Sequence, residues 1–243
     1  MDDPGPEPEV ARIRDVYSHR AAADPRYAWS NPAHRYTLLH LERDLLDALH
    51  RHGGAALAGL RILEVGCGSG YWLRQLVQWG ASPERIVGID LLPERVAQAR
   101  RSTVPATGVV LASATRLPFP AESFDLVVQA TVFTSILSDE VRRRAAAEMS
   151  RVLAPGGRIL WYDYFRNNPW NPNVRAVTAR ELGALFPGAI VRRRRATLAP
   201  PIARLLAGRS QFACSLLERL PLLRTHYVAV IRNVRPAAAR PGG

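Results

Sequence analysis

Runs of apolar residues of strand length alternate with helical patterns through the middle of the chain. The strand-like runs are RILEV, RIVGID, GVVLA, FDLVVQ and GRILWYDY, and the helical patterns among them span Tyr71 to Trp79, Pro93 to Arg101 and Asp139 to Leu153. Such alternation is typical of βαβ units that build a parallel sheet. The pattern therefore predicts an α/β fold in this part of the chain.

The C-terminal part adds a helix, two strands and an insertion between those strands. The sequence Thr178-Ala179-Arg180-Glu181 has the spacing of a capping box and predicts a helix that runs to Phe186. AIVRRRRATL and HYVAVIRN are strand-like, and apolar residues at helical spacing between them predict a helical insertion over residues 200–223. We therefore predict a Rossmann-like, doubly wound fold with a seven-stranded, mostly parallel sheet over residues 57–234.

The residues before the first strand have a different character. One face of a predicted amphipathic helix, closed by Gly53-Gly54, carries Leu38, Leu41, Leu45 and Leu49. Upstream of it, residues 17–36 are rich in aromatic residues, histidines and helix interrupters. We predict an N-terminal helical segment over residues 10–56. Residues 1–9 and 235–243 are of low complexity and are expected to be disordered tails.

The chain is strongly basic, with a formal net charge of +12 and a sequence pI near 11.0. A basic surface attracts nucleic acid non-specifically. All 33 basic residues are arginine, however, which indicates a codon bias rather than a local adaptation. The dense runs, Arg142 to Arg144 and Arg192 to Arg195, fall in a predicted helix and a predicted strand, and we interpret them as solvated faces. Nucleic acid is therefore not the expected partner.

The N-terminal sequence and the cysteines bear on the compartment. MDDPGPEPEV is acidic and proline-rich, unlike a secretory signal, and no run of about 18 apolar residues could form a transmembrane segment. Cys67 and Cys214 have no metal-ligand spacing and form no disulfide framework. We expect a cytoplasmic protein without a metal site.

A glycine-rich loop, Glu64 to Gly70, follows the first predicted strand and opens a helix. Ligands of open α/β sheets bind at this place, outside the carboxyl ends of the strands. Gly68 lets the backbone approach a bound molecule, because no Cβ stands in the way. A dinucleotide fingerprint would require a glycine at position 71, where the chain has Tyr71, so NAD is disfavoured. Asp90 ends the second strand, where its carboxylate can accept hydrogen bonds from both hydroxyls of a ribose.

Four segments taken together point to a family. LEVGCGSG, GIDLLPERVAQAR, ATRLPFPAESFDLVV and RVLAPGGRIL resemble successive motifs of the class I S-adenosylmethionine-dependent methyltransferases, specifically the type 11 group. The resemblance covers roughly residues 60 to 163 and implies S-adenosylmethionine as the cofactor. In that family the residues before strand one commonly form a lid over cofactor and acceptor, so residues 10–56 are expected to be a lid.

The resemblance also implies which residues contact the cofactor. The glycine loop would lie beneath it, Asp90 would hold its ribose, and its adenine would lie against Leu91 and Ser113. The family often has aspartate at position 113, so a serine there would be a weaker, uncharged acceptor. The complete predicted set is Tyr17, Glu64, Gly66, Gly68, Gly70, Asp90, Leu91, Ser113, Ala114 and Gln129, with Tyr17, Glu64 and Gln129 at the methionine end.

Methyl transfer depends on alignment of the acceptor with the methyl carbon and, for a hydroxyl acceptor, on removal of a proton. The candidate bases are His34, in the predicted lid, and Asp163, at the carboxyl end of strand GRILWYDY. Tyr27 and Trp29 are expected to line the acceptor pocket beside His34. The polar segment FRNNPWNPNVR, residues 165–175, lies at the same rim, where it is expected to bind the hydroxyls of a sugar or polyol.

Three classes of function follow. We predict a methyltransferase that modifies a hydroxyl of a small molecule, either a saccharide or a secondary metabolite. An RNA methyltransferase is the runner-up because of the charge, although FDLVVQATVF lacks the Asn/Asp-Pro-Pro-Tyr type of motif that holds an exocyclic amine. A cofactor-binding protein without catalytic activity is the third alternative.

Overall fold

The structure, a computed structural model, describes residues 7–18, 24–52, 56–168 and 171–232. Within these ranges the chain forms one seven-stranded sheet in the order β3-β2-β1-β4-β5-β7-β6. The sheet is parallel except for β7, which is antiparallel to both of its neighbours. This confirms the predicted doubly wound, mostly parallel sheet. The strands β1 to β7 are Ile62–Val65, Ile86–Asp90, Gly108–Leu111, Phe124–Ala130, Leu153–Tyr164, Ile190–Leu198 and Arg224–Arg232.

Helices cover both faces of the sheet, as expected for a mostly parallel sheet whose central strands are largely apolar. In the part of the chain that the structure describes, the helices α1 to α8 are Glu7–Ser18, Pro32–Arg51, Tyr71–Gln78, Pro93–Ser102, Asp139–Val152, Ala179–Leu185, Pro200–Leu206 and Gln211–Glu218. The helices α5 and α6 pack on one face through residues such as Met149 and Leu182. The other face is covered by α2, α3 and α4, with Leu45 and Leu73 in the shared core.

The insertion after β6 forms a smaller apolar cluster of its own. Ala203 and Ala207 of α7 and Cys214 of α8 are buried against Ala33 and Tyr36 of α2. Tyr36 donates a hydrogen bond from its hydroxyl to a carboxylate oxygen of Glu218 at 2.6 Å. The insertion is therefore attached to the N-terminal half of α2, on one side of the sheet.

The structure differs from the sequence-based prediction at two places outside the site. The helix α1 begins at Glu7, so the expected disordered tail does not extend to Glu9. Arg142, interpreted as part of a solvated face, is completely buried. Its guanidinium donates to the carbonyl oxygens of Ile136, Ala176 and Arg175 and pairs with the Glu181 carboxylate, so protein groups take the place of water around the charge. The predicted end of the amphipathic helix at Gly53-Gly54 and the predicted tail over residues 235–243 lie outside the described residues.

Candidate active site at the carboxyl edge of the sheet

A cavity of about 860 Å³ opens where β1, β2 and β4 end. Its floor is the loop that follows β1, and its walls come from the end of β2, the turns after β3 and β4, and the two N-terminal helices. This is the position at which open α/β sheets bind their ligands. The volume is in the range of small-molecule and cofactor sites.

The glycine loop passes close beneath the turn after β4. Gly66 has φ +72°, and a Cβ at that position would lie 2.5 Å from Cγ2 of Val132. Gly66 is therefore required for both backbone conformation and space. Gly68 lines the cavity as well, whereas Gly70, at φ +80°, forms the N-cap of α3 without lining it. The structure thus gives Gly70 a role in the turn that begins α3, and it does not support the predicted contact of Gly70 with the cofactor.

The Asp90 carboxylate lies in the cavity wall and also braces the glycine loop. Its Oδ2 accepts a hydrogen bond from the backbone N–H of Gly68 at 2.8 Å, and its Oδ1 accepts one from Leu92 at 3.0 Å. Burial raises the pKa of Asp90, although these N–H donors and Arg95 oppose the shift. Each carboxylate oxygen retains acceptor capacity toward the cavity, because an ionised carboxylate has about four lone-pair sites.

Glu64 is a carboxylate in the floor of the cavity with a side chain that is almost entirely buried. Its Oε2 has no hydrogen-bond partner within the described part of the chain. Burial, and then the nearby Asp90, raise the pKa of Glu64 well above its usual value. A buried acceptor without a partner is costly, and a cationic group in the cavity would relieve that cost.

The end of β2 and the turn after β3 form the far wall. Leu91, Ser113 and Ala114 all line the cavity, as the resemblance implied. The Ser113 hydroxyl lies 2.8 Å from the Thr115 hydroxyl, so it shares its hydrogen-bonding capacity with a neighbour. Arg95 and Gln98 of α4 also line this wall and were missed, because only their helix and not its inward face was predicted from the sequence.

The N-terminal helices close the cavity from the other side. Tyr17 of α1 lines it and its hydroxyl contacts the Ser135 hydroxyl in the turn after β4. The same helix is held by Glu9, whose Oε1 accepts from the backbone N–H of Leu137 at 2.5 Å, and by Arg12, which donates to the carbonyl oxygen of Ser135 at 2.6 Å. No residue of α1 is buried in the fold, so these polar contacts to the turn position it.

His34 lies in the first turn of α2 and lines the cavity together with Tyr27 and Trp29. The Asn31 side chain caps this helix by accepting from the N–H of Ala33. The His34 ring centroid is 5.8 Å from that of Tyr27, edge to face, and 6.3 Å from that of Trp29. Burial lowers the pKa of His34 below its usual value of 6.5, so the ring is neutral at pH 7.

Comparison with known proteins places this arrangement in a family. Residues 62–157 match the family described as methyltransferase domain. This stretch of the chain is a methyltransferase domain of the class I, S-adenosylmethionine-dependent type. The cofactor of this methyltransferase domain is S-adenosylmethionine.

Individual relatives support the same assignment. The methyltransferase domain is 33% identical over 147 residues, 58% of this chain, to the phthiotriol/phenolphthiotriol dimycocerosates methyltransferase 1 of Mycobacterium ulcerans. It is 32% identical over 164 residues, 63% of this chain, to the ubiquinone/menaquinone biosynthesis C-methyltransferase UbiE of Syntrophotalea carbinolica. The chain spans 52% of the length of the first relative and 66% of the length of the second.

A solved structure shows the same fold. The N-methyltransferase NodS from Bradyrhizobium japonicum, solved in complex with S-adenosyl-L-homocysteine, superimposes with a TM-score of 0.65. The match covers 92% of this chain and 99% of NodS at 22% sequence identity. At this identity the likeness concerns the fold of the methyltransferase.

Besides Gly70, two residues that were predicted to act in the cavity do not line it. Gln129 is buried, with its Nε2 donating to the carbonyl oxygen of Tyr162 at 3.3 Å and its Oε1 accepting from Val132 N at 3.1 Å. Its side chain braces the turn after β4, so its geometry gives no support to the predicted contact with the methionine end of the cofactor. Ala130, Thr131 and Val132 form the cavity wall there.

Asp163 is the second of these residues. Its side chain is 1% exposed, its Oδ2 accepts from the N–H of Thr134 at 3.1 Å, and its Oδ1 accepts from the N–H of Tyr164 at 3.0 Å. Burial raises the pKa of Asp163 to about 7, which these bonds and Arg142 oppose. Asp163 does not line the cavity, so its geometry gives no support to the prediction that it is a general base at the rim.

Asparagine side chains of the polar segment 165–175 accept hydrogen bonds from nearby backbone N–H groups. Asn167 accepts from the N–H of Ala176 at 2.7 Å, and Asn171 accepts from the N–H of Asn173 at 3.1 Å. The described residues of this segment do not line the cavity. The expected sugar-binding role therefore has no support from their geometry. Trp170 of this segment lies outside the described residues.

We expect Gly68→Ala to lower the affinity for S-adenosylhomocysteine by roughly tenfold or more, as measured by calorimetry. Gly68 has φ +52°, and a Cβ there would meet no protein atom within 4 Å, so the added methyl group would occupy space beside the cavity. The matched control is Gly80→Ala, also at a positive φ, +95°, with nothing within 4 Å, but after α3 and away from the cavity.

Both glycine variants should lose similar stability, on the order of 1 kcal/mol, from the backbone strain of a left-handed alanine. Only Gly68→Ala should lose affinity for the cofactor product. Equal affinity in the two variants would mean that the loop backbone does not approach the ligand.

Proposed function

We propose that the protein transfers a methyl group from S-adenosylmethionine to a hydroxyl of a small, largely apolar molecule. The observation that carries this proposal is a neutral histidine, His34, in the wall of the same cavity as Asp90 and Glu64. A hydroxyl acceptor must lose its proton during methyl transfer, and a neutral imidazole beside the cavity supplies an acceptor for it.

The residues present fit S-adenosylmethionine. Asp90 offers carboxylate oxygens to the ribose hydroxyls, and the buried, unpartnered oxygen of Glu64 matches the ammonium group of the methionine end. Leu91 and Ser113 lie where the adenine is expected. When bound, the cofactor supplies a methyl group on a sulfonium, an activated leaving group. The protein's own contribution is to position the acceptor and to hold its proton.

The walls of the cavity favour an apolar or aromatic acceptor. Val10 and Ile13 of α1 and Leu38 of α2 line it, next to the aromatic rings of Tyr27 and Trp29. Such a lining buries apolar surface and offers few hydrogen-bond partners to a polyhydroxylated ligand. Of the two expected acceptors, a secondary metabolite with a phenolic or similar hydroxyl is therefore supported better than a saccharide.

The reaction on the protein side then consists of one proton transfer. The unprotonated ring nitrogen of His34 would accept the hydroxyl proton, which frees a lone pair of the acceptor oxygen to bond to the methyl group that S-adenosylmethionine would supply. The relatives named above include a C-methyltransferase and a structure of an N-methyltransferase, so the position of the new methyl group must be located in the product.

We expect His34→Ala to lower kcat by about 100-fold with little change in S-adenosylmethionine affinity. In the wild type, kcat/KM should rise with pH and reach a plateau, because the base acts unprotonated, and the midpoint should lie below 6.5. The variant should lose this acidic limb. Activity is followed as S-adenosylhomocysteine release over a series of phenolic and other apolar alcohols, with the methylated atom located by NMR.

The control is His50→Ala, which removes an exposed histidine from the far end of the same helix. It should leave kcat and the pH profile unchanged. Wild-type turnover in His34→Ala, or a product methylated on nitrogen or carbon, would contradict the proposed function.

A further inference from the structure

The insertion between β6 and β7 exposes an unusual number of large apolar side chains. Its inner face packs on α2, but its outer face leaves a set of such side chains in solvent. This set, called here the insertion surface, consists of Leu205, Phe212, Leu216, Leu220 and Leu222, which are 65, 80, 53, 52 and 71% exposed. Several large apolar side chains exposed on neighbouring helices are typical of a site of interaction.

Positive charge accompanies the insertion surface. Residues 199–224 contain four arginines and one acidic residue, Glu218. Arg204, Arg209 and Arg219 are exposed, whereas Glu218 is 6% exposed and lies 2.5 Å from a ring nitrogen of His40. The surface thus combines leucine and phenylalanine side chains with unopposed arginines. That combination is characteristic of helices that lie in the interface of an anionic bilayer.

The insertion surface also lies close to the cavity entrance. Helix α7 packs on the first turn of α2, where a Cβ at Gly208 would be 3.8 Å from Cγ of Pro32. His34 follows two residues later and lines the cavity, with Trp29, which is 57% exposed, beside it. The insertion that carries this surface therefore packs directly on the helix that contributes His34 to the cavity wall.

We propose that the insertion surface docks the protein on the surface of an anionic lipid bilayer. Its leucines and Phe212 enter the boundary between headgroups and acyl chains, and its arginines contact the phosphate-bearing headgroups. A second copy of the chain fits less well, because a two-fold contact would bring the arginines of both copies together. Within the described ranges, no helix has the length and apolar character needed to cross a bilayer, and surface docking requires none.

The proposal is tested by co-sedimentation of the full chain with vesicles of phosphatidylcholine alone or with phosphatidylglycerol added. S-adenosylmethionine and acceptor are left out, so the result does not depend on the proposed function. We expect binding to the mixed vesicles and none to phosphatidylcholine. In the triple variant Leu205→Gln, Phe212→Gln, Leu222→Gln, the affinity for the mixed vesicles should fall at least roughly tenfold. Because the three side chains are largely exposed, the substitutions leave the core unchanged.

Charge is tested separately. The triple variant Arg204→Gln, Arg209→Gln, Arg219→Gln should weaken binding by roughly 100-fold, at about fivefold for each arginine near the membrane surface. A control with the same net charge, Arg101→Gln, Arg116→Gln, Arg143→Gln, removes exposed arginines elsewhere and should change binding much less. The apolar control is Val104→Gln with Leu111→Gln, 41 and 49% exposed and near the opposite edge of the sheet.

Several outcomes would overturn docking on lipid. One is no sedimentation at about 1 mM lipid, roughly ten times the concentration at which one myristoyl chain half-binds. Another is equal loss in both arginine variants, which would indicate a diffuse charge effect. A third is a dimer in light scattering that the apolar triple variant dissociates, because a second copy would then cover the surface. A fourth is RNA that competes with vesicles and binds more tightly than they do.

Discussion

Asp90→Ala should lower the affinity for S-adenosylhomocysteine by roughly 100-fold, about 3 kcal/mol, in isothermal titration calorimetry. Two losses add up. The ribose hydroxyls lose a charged acceptor, and the backbone N–H of Gly68, 2.8 Å from the Asp90 carboxylate, loses the partner that holds the glycine loop. Affinity in the wild type should also fall as the pH drops toward the raised pKa of Asp90, because protonation removes the charge of the acceptor.

The matched control for this variant is Asp125→Ala. Asp125 is also a carboxylate beside a strand, but it accepts from the backbone N–H of Arg61 at 2.9 Å and pairs with the Arg61 guanidinium at the amino edge of the sheet. Its removal should cost some stability and leave cofactor affinity unchanged. A folded Asp90→Ala protein with wild-type affinity would reject the assignment of this carboxylate to the ribose.

Arg142→Ala should lower the free energy of unfolding by about 3–5 kcal/mol, as measured by urea denaturation. The guanidinium of Arg142 is completely buried, donates to three backbone carbonyl oxygens and pairs with Glu181 at 2.5 Å. Removal of the guanidinium leaves the three carbonyl oxygens without this donor in a low-dielectric interior and opens a cavity between α5 and α6. The penalty of the unpaired acceptors makes the loss large, since the intact ion pair by itself contributes little.

Arg143→Ala is the control in the next position of the same helix. The Arg143 side chain is 65% exposed and pairs with Glu140 at 2.8 Å on the surface. Its replacement should change the free energy of unfolding by no more than about 0.5 kcal/mol. A similar loss in both variants would mean that the Arg142 contacts do not hold α5 and α6 together.

These neighbouring arginines show where inference from the sequence stops. The run Arg142 to Arg144 looks uniform, and a helix with three successive charges is ordinarily solvated. Arg142 is buried because its partners at residues 175, 176 and 181 return to the helix from more than thirty positions away. The capping box at Thr178 is affected in the same way. Thr178 Oγ1 accepts from the N–H of Glu181 as predicted, but the Glu181 carboxylate turns to Arg142 and Arg175.

Two predicted site residues have side chains that the sequence could not orient, for a related reason. Asp163 and Gln129 each lie near the carboxyl end of a strand, the correct edge of the sheet for a site. Their strands are apolar on both faces, so no alternation of polar and apolar residues reveals where each side chain points. Asp163 and Trp161 are two positions apart in β5, so their side chains point to the same face of the sheet, and Trp161 packs beneath α5. The Asp163 carboxylate accordingly meets the turn at Thr134 and not the cavity.

The sequence by itself determined the order of strands and helices, the glycine loop and the carboxylate of Asp90. These features depend on local periodicity and on conformations that only glycine adopts easily, so they can be read from neighbouring positions. Only the tertiary structure decided that Gln129 and Asp163 brace a turn, that Arg142 is buried, and that His34 shares a cavity with Glu64. Those outcomes depend on contacts between residues distant in sequence, whose partners and directions are fixed when the helices pack on the sheet.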